Sequence, residues 1–291
     1  MFFSSRIKPN LISVILLSCI LFPSGVFGTE KDLSTKKDST SQITQPYDKF
    51  SIDFGGFFAG YNSGITLQGD RMGLGVIIDL EDLLGLNSSS WALRSKTNFR
   101  FGKTNRHQVS FGYFGAKRKV IRSINSDIDI GDITISAGTE VTTKFNFSII
   151  RAKYDYSFFQ DDRVSLGASI GLFVLPISYS LEVINKKDVA QSVVAPLPVI
   201  GIRSDFLITN KLFYRQSFEI LYLSFDGFTG SILDLDLSLE YRPLKHFGFG
   251  MGLNATKFEL ETSGNEYPNV DFHGAIITGY TGVYVFAKYS L

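Results

Sequence analysis

The sequence contains little cysteine and little proline, and no long apolar run follows its first residues. Its one cysteine is Cys19, close to the N-terminus, so no disulfide or thiol chemistry is expected in the rest of the chain. Only 8 of the 291 residues are proline, whereas glycine and phenylalanine each occur 27 times. No later segment reaches the roughly 18 consecutive apolar residues of a transmembrane helix. The near balance of 29 basic and 28 acidic residues argues against a nucleic-acid-binding protein.

The N-terminal residues have the pattern of a secretory signal peptide. Arg6 and Lys8 precede the apolar run 11–22, and a small-residue cleavage site ends at Gly28. We expect cleavage after Gly28; a lipid-attachment site at Cys19 is the less favoured alternative. Residues 29–49 are polar and charged, and they predict a flexible periplasmic arm because they cannot bury apolar surface.

From Phe50 onward, apolar and polar residues alternate in a series of segments. Residues 233–241 read LDLDLSLEY, with leucine or tyrosine at every second position. Successive side chains of a β-strand point to opposite faces, so each segment has one apolar and one polar face. The pattern predicts strands near 51–61, 72–80, 90–102, 107–123, 141–158, 162–182, 193–208, 212–225, 230–242 and 246–262, with one or two more in 269–291.

The predicted connections are of two kinds. KTNRH, QDD, TNK and RPLKH are tight turns, whereas residues 124–140, 183–192 and 262–270 form long polar loops. Short turns at one end and long loops at the other are typical of an up-and-down antiparallel transmembrane β-barrel. With both termini periplasmic the strand number must be even, and we expect about 12 within a range of 10–12. This count makes strand 51–61 begin outside, which conflicts with a periplasmic arm.

The apolar faces indicate where the barrel resides. They are rich in aromatic residues, and tyrosine and tryptophan recur towards strand ends, as in the interfacial girdles of outer-membrane barrels. We therefore predict one barrel over residues 50–291 in a bacterial outer membrane, with Leu237 facing lipid. A secreted β-sandwich with an aromatic core is the alternative. Outward apolar residues at every second position up to Leu291 favour recognition by the barrel-insertion machinery.

Several segments carry a resemblance to known proteins. LGVIIDLEDLLGL (74–86), TNRHQVSFGYF (104–114), YSFFQDDRVSLGASIGL (156–172), APLPVIGIRSDFLITNKL (195–212) and RPLKHFGFGMG (242–252) resemble a family of proteobacterial outer-membrane β-barrel proteins. Most of its members are described only as hypothetical or outer-membrane proteins. The resemblance implies the barrel architecture, and it brings no catalytic residues with it.

The charged residues of the polar face are the predicted lining of the lumen. They are Arg94, Lys96, Arg100, Arg151, Lys153, Arg203, Asp205, Arg215, Glu219, Asp234, Asp236 and Glu240. If basic and acidic walls stay apart across water, their transverse field sorts polar solutes as in porins. If the charges interlock, they form a salt-bridged plug in a closed barrel.

Two hairpin registers follow from the tight turns. Phe206 opposite Tyr214 sets Asp205 against Arg215. Tyr241 opposite Phe247 would set the carboxylates of 234–240 against the glycines of the next strand. Those glycines predict either open space in the lumen or close coiling of the strands.

The predicted function is a narrow passive channel for small polar or ionic solutes. The first alternative is a closed barrel with a structural, adhesive or sensory role through its outer loops. The second is a lipid-modifying or proteolytic barrel enzyme built around His273 and Asp271. We expect no enzyme activity, because no motif places a serine beside this pair.

No cofactor and no metal site are expected. The loop carboxylates Asp127, Asp129 and Asp132 lack the spacing of a known calcium loop, and Asp79, Glu81 and Asp82 indicate a cation site only weakly. The predicted partners are outer-membrane lipid, the barrel-insertion machinery and small polar solutes.

Overall fold

A computed structural model describes residues 45–67, 76–82, 85–125, 127–130, 133–183, 189–225, 228–262 and 274–291. The predicted signal peptide and most of the predicted arm lie outside these ranges. So do Asp271 and His273 of the enzyme alternative. Within the described residues, no helix is long and apolar enough to cross a membrane.

The described residues are organised almost entirely as β-strands. Their bounds are β1 Phe50–Leu67, β2 Val76–Asp79, β3 Ser89–Phe101, β4 His107–Ser123, β5 Ile128–Ile130, β6 Ile133–Ile135, β7 Glu140–Gln160, β8 Val164–Val183, β9 Val189–Thr209, β10 Leu212–Phe225, β11 Phe228–Tyr241, β12 Phe247–Thr262 and β13 Gly274–Ser290. All barrel pairings are antiparallel. Apart from the short β2, β5 and β6, each strand pairs with the next one along the chain, and β13 pairs with β1 to close the sheet. The predicted closed, up-and-down all-β barrel is confirmed.

The expected number of about twelve strands is wrong, because ten strands close the barrel within the described residues. The predicted strand 72–80 is reduced to β2, whose four residues pair only with Gly64–Leu67 at the far end of β1. The earlier part of β1 pairs with β3, from Phe50–Phe99 to Gly60–Ser89. β2 and β3 therefore occupy one position beside β1. With β2 removed from the count, β1 starts at the same end as β13 finishes, and the conflict over its direction disappears.

The four predicted tight turns lie at one end of the barrel. β3–β4, β7–β8, β9–β10 and β11–β12 are joined by the predicted short connections, and Phe50 and Leu291 lie at this same end. The opposite end carries the long connection between β4 and β7, which includes the small β5–β6 hairpin, the predicted long loops that follow β8 and β12, and the two-residue connection between β10 and β11. We call the two halves of the barrel the tight-turn half and the long-loop half.

One predicted hairpin register is confirmed and the other is shifted. Phe206 pairs with Tyr214, and Asp205 with Arg215, as predicted. Tyr241 pairs with Phe249 instead of Phe247, a shift of two residues that leaves every side chain on its predicted face. The register of a hairpin depends on the length and type of its turn, and this turn has five residues, 242–246.

The two faces of the barrel exchange character partway along the strands. Outward residues of β12 are apolar from Phe247 to Ala255 and then become Lys257, Glu259 and Glu261. Outward residues of β8 are apolar from Val164 to Pro176 and then become Ser178, Ser180 and Glu182. The tight-turn half thus has an apolar outer belt, in whose middle Leu237 points outward. The long-loop half has a polar outer surface.

The inner faces change in the opposite sense. On β8, inward residues are serine and glycine up to Gly171, and then Phe173, Leu175, Ile177, Tyr179, Leu181 and Val183. The long-loop half is therefore built like a water-soluble barrel, with an apolar core and a polar exterior. The tight-turn half is built like a membrane barrel, with an apolar exterior and a polar interior.

Candidate functional site

All twelve predicted lumen residues point into the tight-turn half of the barrel. They come from β3, β7, β9, β10 and β11, on the strand positions that alternate with the outward apolar belt. Strand alternation alone places them there, because the belt residues between them occupy the opposite face. The structure brings eleven of the twelve into ion pairs, and these pairs form three tiers.

The first tier lies nearest the middle of the barrel and joins β3 and β7 to β10 and β11. Arg94 contacts Asp236 at 2.7 Å, and its guanidinium lies 3.8 Å from the centre of the Tyr284 ring. Arg151 contacts Asp234 at 3.2 Å, and Lys153 pairs with Glu219. Each pair spans the lumen between strands that are not neighbours in the sheet, so opposite walls of the barrel are joined.

The second tier is centred on Asp205. Its carboxylate contacts Arg100 at 3.0 Å and Arg215 at 3.5 Å, and it also pairs with Arg203. Arg203 Nε lies 3.4 Å from Asp155, a buried carboxylate of β7. A buried charge costs several kcal/mol unless it is paired and hydrogen-bonded, and here each carboxylate faces at least one guanidinium.

The third tier closes the tight-turn end. Glu240 pairs with Arg215 and lies 3.0 Å from Lys288 and 2.6 Å from Arg242. Asp48 accepts two bonds from Arg242, at 2.6 and 2.9 Å, and lies 3.4 Å from Lys288. Two carboxylates and three cations therefore form one connected group.

Sequence reasoning missed four members of this network: Asp48, Asp155, Arg242 and Lys288. Asp155 and Lys288 carry a usable signal, because Asp155 lies between outward Tyr154 and Tyr156, and Lys288 lies between outward Ala287 and Tyr289. Arg242 lies in a turn and Asp48 in the predicted flexible arm. Arg242 is nevertheless the next inward position after Glu240 in the predicted strand 230–242, whereas Asp48 belongs to no alternating segment and could not be identified by periodicity.

The last residues of the predicted arm enter the barrel mouth. Pro46 is buried, its carbonyl oxygen accepts a bond from Arg215 at 3.4 Å, and Tyr47 lies 4.7 Å from the Arg100 guanidinium. Burial by itself would raise the pKa of Asp48, but Lys288, Arg242 and Arg215 together hold that pKa below its ordinary value of 3.8. Residues 45–48, the described end of the predicted arm, thus close the tight-turn end as an ionised group; the rest of the predicted arm lies outside the described residues.

In the long-loop half, beyond the first ionic tier, the lumen is filled by aromatic and aliphatic side chains. Phe57, Phe114 and Phe147 are at most 1% exposed, and Tyr280 stacks on Phe114 with ring centres 4.4 Å apart. The surrounding buried residues are Phe145, Ile149, Phe173, Leu175, Leu181, Leu197, Val199, Ile232, Phe258 and Leu260. This core is continuous with the first ionic tier, because Tyr280 also accepts a bond from Arg151.

The glycines of β12 make room for rings. A Cβ at Gly252 would lie 2.3 Å from the Tyr284 ring, and one at Gly250 would lie 2.5 Å from the Phe286 ring. Both aromatic side chains come from β13 and lie against the β12 backbone. The glycines were predicted either to leave open space in the lumen or to let the strands coil closely. The space beside Gly250 and Gly252 is not open, because the rings of Phe286 and Tyr284 fill it.

A segment following β2 covers part of the long-loop end. Leu80 and Leu86 are at most 3% exposed, and Glu81 pairs with Arg118 inside the barrel. Asp79 accepts main-chain bonds from Glu81 and Asp82 at 3.0 and 2.7 Å, which fixes the turn. Of the three carboxylates that weakly indicated a cation site, Asp79 fixes the turn and Glu81 forms the internal ion pair with Arg118.

Little space remains inside. A polar cavity of about 60 Å³ lies between the arm and the first two tiers, enough for a few waters. Lys96 lines this cavity and, among the described residues, is the one predicted lumen residue without an ion pair or hydrogen bond. Its ammonium is therefore the one cation of the predicted set that depends on the cavity for solvation.

The described histidines and loop carboxylates form no recognisable reaction centre. His107 Nδ1 lies 2.7 Å from the Tyr154 hydroxyl, and His246 Nδ1 lies 2.8 Å from the main-chain oxygen of Ser290. Asp127 accepts a bond from the Ala137 amide at 2.7 Å. No group of three or more histidine, cysteine, aspartate or glutamate side chains suited to a metal ion occurs within the described ranges.

Comparison with known proteins identifies the fold. No protein-family model matches the chain, and no curated protein sequence is significantly similar to it. The outer-membrane protease OmpT of Escherichia coli superposes with a TM-score of 0.55 at 9% identity, covering 87% of this chain and 100% of OmpT.

Two further outer-membrane barrels match with lower scores. Ail, the attachment invasion locus protein of Yersinia pestis, gives a TM-score of 0.35 at 9% identity, covering 82% of this chain and 99% of Ail. The toluene transporter TbuX of Ralstonia pickettii gives a TM-score of 0.36 at 8% identity, covering 85% of this chain and 91% of TbuX. The likeness to OmpT shows that the chain has the fold of a bacterial outer-membrane β-barrel. The resemblance to an uncharacterised family stays a prediction.

Proposed function

We propose that the protein resides in a bacterial outer membrane as a barrel closed to solutes, and that it acts through the half that projects beyond the membrane. The observation that carries this proposal is the filled interior. Ion pairs cross the tight-turn half, and an apolar core fills the long-loop half. Of the functions considered from the sequence, this is the closed barrel with a structural or adhesive role.

The apolar belt supports the membrane placement. It includes large outward side chains that would be costly to leave in water, among them Phe54, Phe111, Ile170, Ile200 and Met251, each at least 58% exposed. On β12 the belt runs from Phe247 to Ala255, about the length of strand that crosses a bilayer. The tight-turn end then faces the periplasm, and the long-loop half extends outside the cell.

The packed interior argues against passage of solutes. Eight-stranded barrels are filled by side chains, whereas barrels of about sixteen strands leave an aqueous channel. Ten strands give an intermediate lumen, and here Phe57, Phe114 and Phe147 occupy it above the charged tiers. An ion would have to cross this apolar core after breaking ion pairs such as Arg94–Asp236. The predicted narrow channel is therefore the less favoured function.

The projecting half offers the surface through which the protein would act. Its outer face is polar, and it carries the β5–β6 hairpin and the turn at 79–82. We propose no enzymatic role, because neither described histidine bonds to a carboxylate or to a serine hydroxyl. The partners in this proposal are membrane lipid, the barrel-insertion machinery and a surface ligand at the long-loop end.

Planar-bilayer conductance of the refolded mature protein tests the closed barrel. We expect a folded, inserted protein that produces no discrete current steps, with a sixteen-stranded porin in the same bilayer as the positive control. The variant Asp234→Asn, Asp236→Asn is measured alongside. It removes two carboxylates from the first tier but leaves the aromatic core above them, so it should not conduct either.

Conductance by the wild-type protein would lead to the opposite conclusion. Discrete steps in the wild-type protein, with an ion selectivity that changes in the double variant, would show that the acidic residues line an open path. That outcome would replace the closed barrel with the narrow channel.

A further inference from the structure

A groove of about 680 Å³ crosses the outer surface where the apolar belt gives way to polar residues. It lies where two neighbouring strands separate. β3 and β4 pair from Phe101–His107 up to Leu93–Gly115. Beyond that point Ser89–Ala92 pair with β1, and Ala116–Ser123 pair with β7. The split exposes a recess between the two strands, which a regular sheet would not have.

The floor and one lip of the groove are apolar. Tyr113 lies across Gly115, since a Cβ at Gly115 would come within 2.3 Å of the tyrosine hydroxyl. Trp91 forms the lip on β3, is 71% exposed and lies 5.4 Å from the ring of Phe58. Pro176 continues the floor on β8. Asn146, Ser148, Ser178 and Ser192 also line the groove, and the Tyr113 hydroxyl lies 3.4 Å from the Ser148 hydroxyl. Trp91 and the ring of Tyr113 nevertheless join the groove to the outward apolar residues of the belt.

The other lip is basic. Lys117 lines the groove, and Lys119 is the next outward residue on the same strand. Both are exposed and neither makes an ion pair or hydrogen bond with any described residue. Lys119 pairs in the sheet with Lys144, whose own charge is matched by Glu182. Lys117 follows Tyr113 by four residues, a rise of about 13 Å along β4, so both lysines lie on the long-loop side of the belt residue Tyr113.

We propose that this groove binds an anionic lipid of the outer leaflet, with an acyl chain along Trp91 and Tyr113 and a phosphorylated headgroup at Lys117 and Lys119. Basic residues at the membrane surface attract anionic headgroups, and aromatic residues such as Trp91 favour this depth. A soluble phosphate compound would use the lysines but not the apolar floor. The groove's continuity with the belt therefore favours a lipid. The proposal rests on the membrane placement proposed above.

The only tryptophan of the chain is Trp91, so its fluorescence reports on the groove alone. The protein is reconstituted into phosphatidylcholine vesicles that contain a small fraction of brominated lipid, a quencher of nearby tryptophan. We expect brominated phosphatidylglycerol to quench Trp91 at a several-fold lower mole fraction than brominated phosphatidylcholine. The variant Lys117→Gln, Lys119→Gln should lose most of this preference. The control variant Lys103→Gln, Lys245→Gln changes charge equally at the tight-turn end and should keep it.

The outcomes separate this proposal from the membrane placement. Equal quenching by the two lipids in the wild-type protein, or a preference that survives in the Lys117 and Lys119 variant, would overturn lipid binding at the groove and leave the placement intact. Absence of quenching by either lipid would overturn both. Inorganic phosphate should leave the preference in place at an ionic strength matched with chloride; its specific removal by phosphate would assign the site to a free phosphate compound instead.

Discussion

The substitution Glu240→Gln provides the strongest test of the internal network. Glu240 is 1% exposed and lies against Arg215, Arg242 and Lys288. Glutamine keeps the shape of the side chain but removes its charge, which leaves Asp48 as the one carboxylate facing Arg242 and Lys288. Removing one partner of a buried ion pair typically costs about 3–5 kcal/mol, because the remaining charge stays buried without compensation. We expect a loss of about 3 kcal/mol in the free energy of unfolding.

The assay is urea unfolding of the refolded barrel in lipid vesicles, followed through Trp91 fluorescence and heat-modifiable migration on gels. Glu261→Gln is the matched control, because Glu261 is exposed on the outer surface of the long-loop half. It should change stability by less than about 0.5 kcal/mol. Adding Lys288→Met to Glu240→Gln should recover part of the loss, since it removes one uncompensated cation.

Unfolding of Glu240→Gln at the same urea concentration as the wild type would refute the reasoning. It would mean that the third tier is hydrated in the folded barrel and that its ion pairs contribute nothing measurable. Failure of the Lys288 substitution to restore any stability would instead show that the loss comes from packing, not from unbalanced charge.

Three further predictions test the arm, the belt and the ring contacts. Asp48→Asn should lower the free energy of unfolding above about pH 4. The difference from wild type should vanish as the pH falls below the depressed pKa of Asp48, because a carboxylate with a lowered pKa stabilises the fold only while it is ionised. A difference that grows on acidification in urea titrations would contradict this. Leu237→Arg should lower the free energy of unfolding in vesicles by about 2–4 kcal/mol. Ser231→Arg, beyond the belt on the same strand, should lower it by only about 0–1 kcal/mol. Equal effects of the two substitutions would place both residues outside the lipid. Gly252→Ala should cost about 1–3 kcal/mol by displacing Tyr284, whereas Gly56→Ala, with its nearest neighbour at 3.6 Å, should be nearly neutral in the same urea experiment.

The sequence predicted the barrel because strand alternation is a local property. The apolar positions of 233–241 have a period of two whatever surrounds them, and the register of β9 with β10 follows from the short TNK turn. The strand number was wrong because periodicity does not show whether two extended segments lie side by side or end to end. β2 and β3 lie end to end beside β1, which is visible only from their pairings.

The sequence also contains a signal for the filled lumen, in the phase of the apolar alternation along single strands. On β8 the apolar residues occupy even positions from Val164 to Pro176 and odd positions from Phe173 to Val183, with a short overlap between the two series. A change of phase within an uninterrupted strand indicates that its surroundings change from lipid to water. This would have predicted the apolar core of the long-loop half, and with it a filled lumen.

By itself, the sequence determined the strands, their two faces and the identity of the charges inside, because each follows from alternation along a single strand. Only the tertiary structure decided which charge meets which. Arg94 and Asp236 lie on strands that are not neighbours in the sheet, and Asp48 arrives from outside the strands altogether. Contacts across the lumen depend on strand number, stagger and the volume of the facing side chains, which are properties of the closed barrel. Those same properties decided that the space beside the β12 glycines is taken by Tyr284 and Phe286.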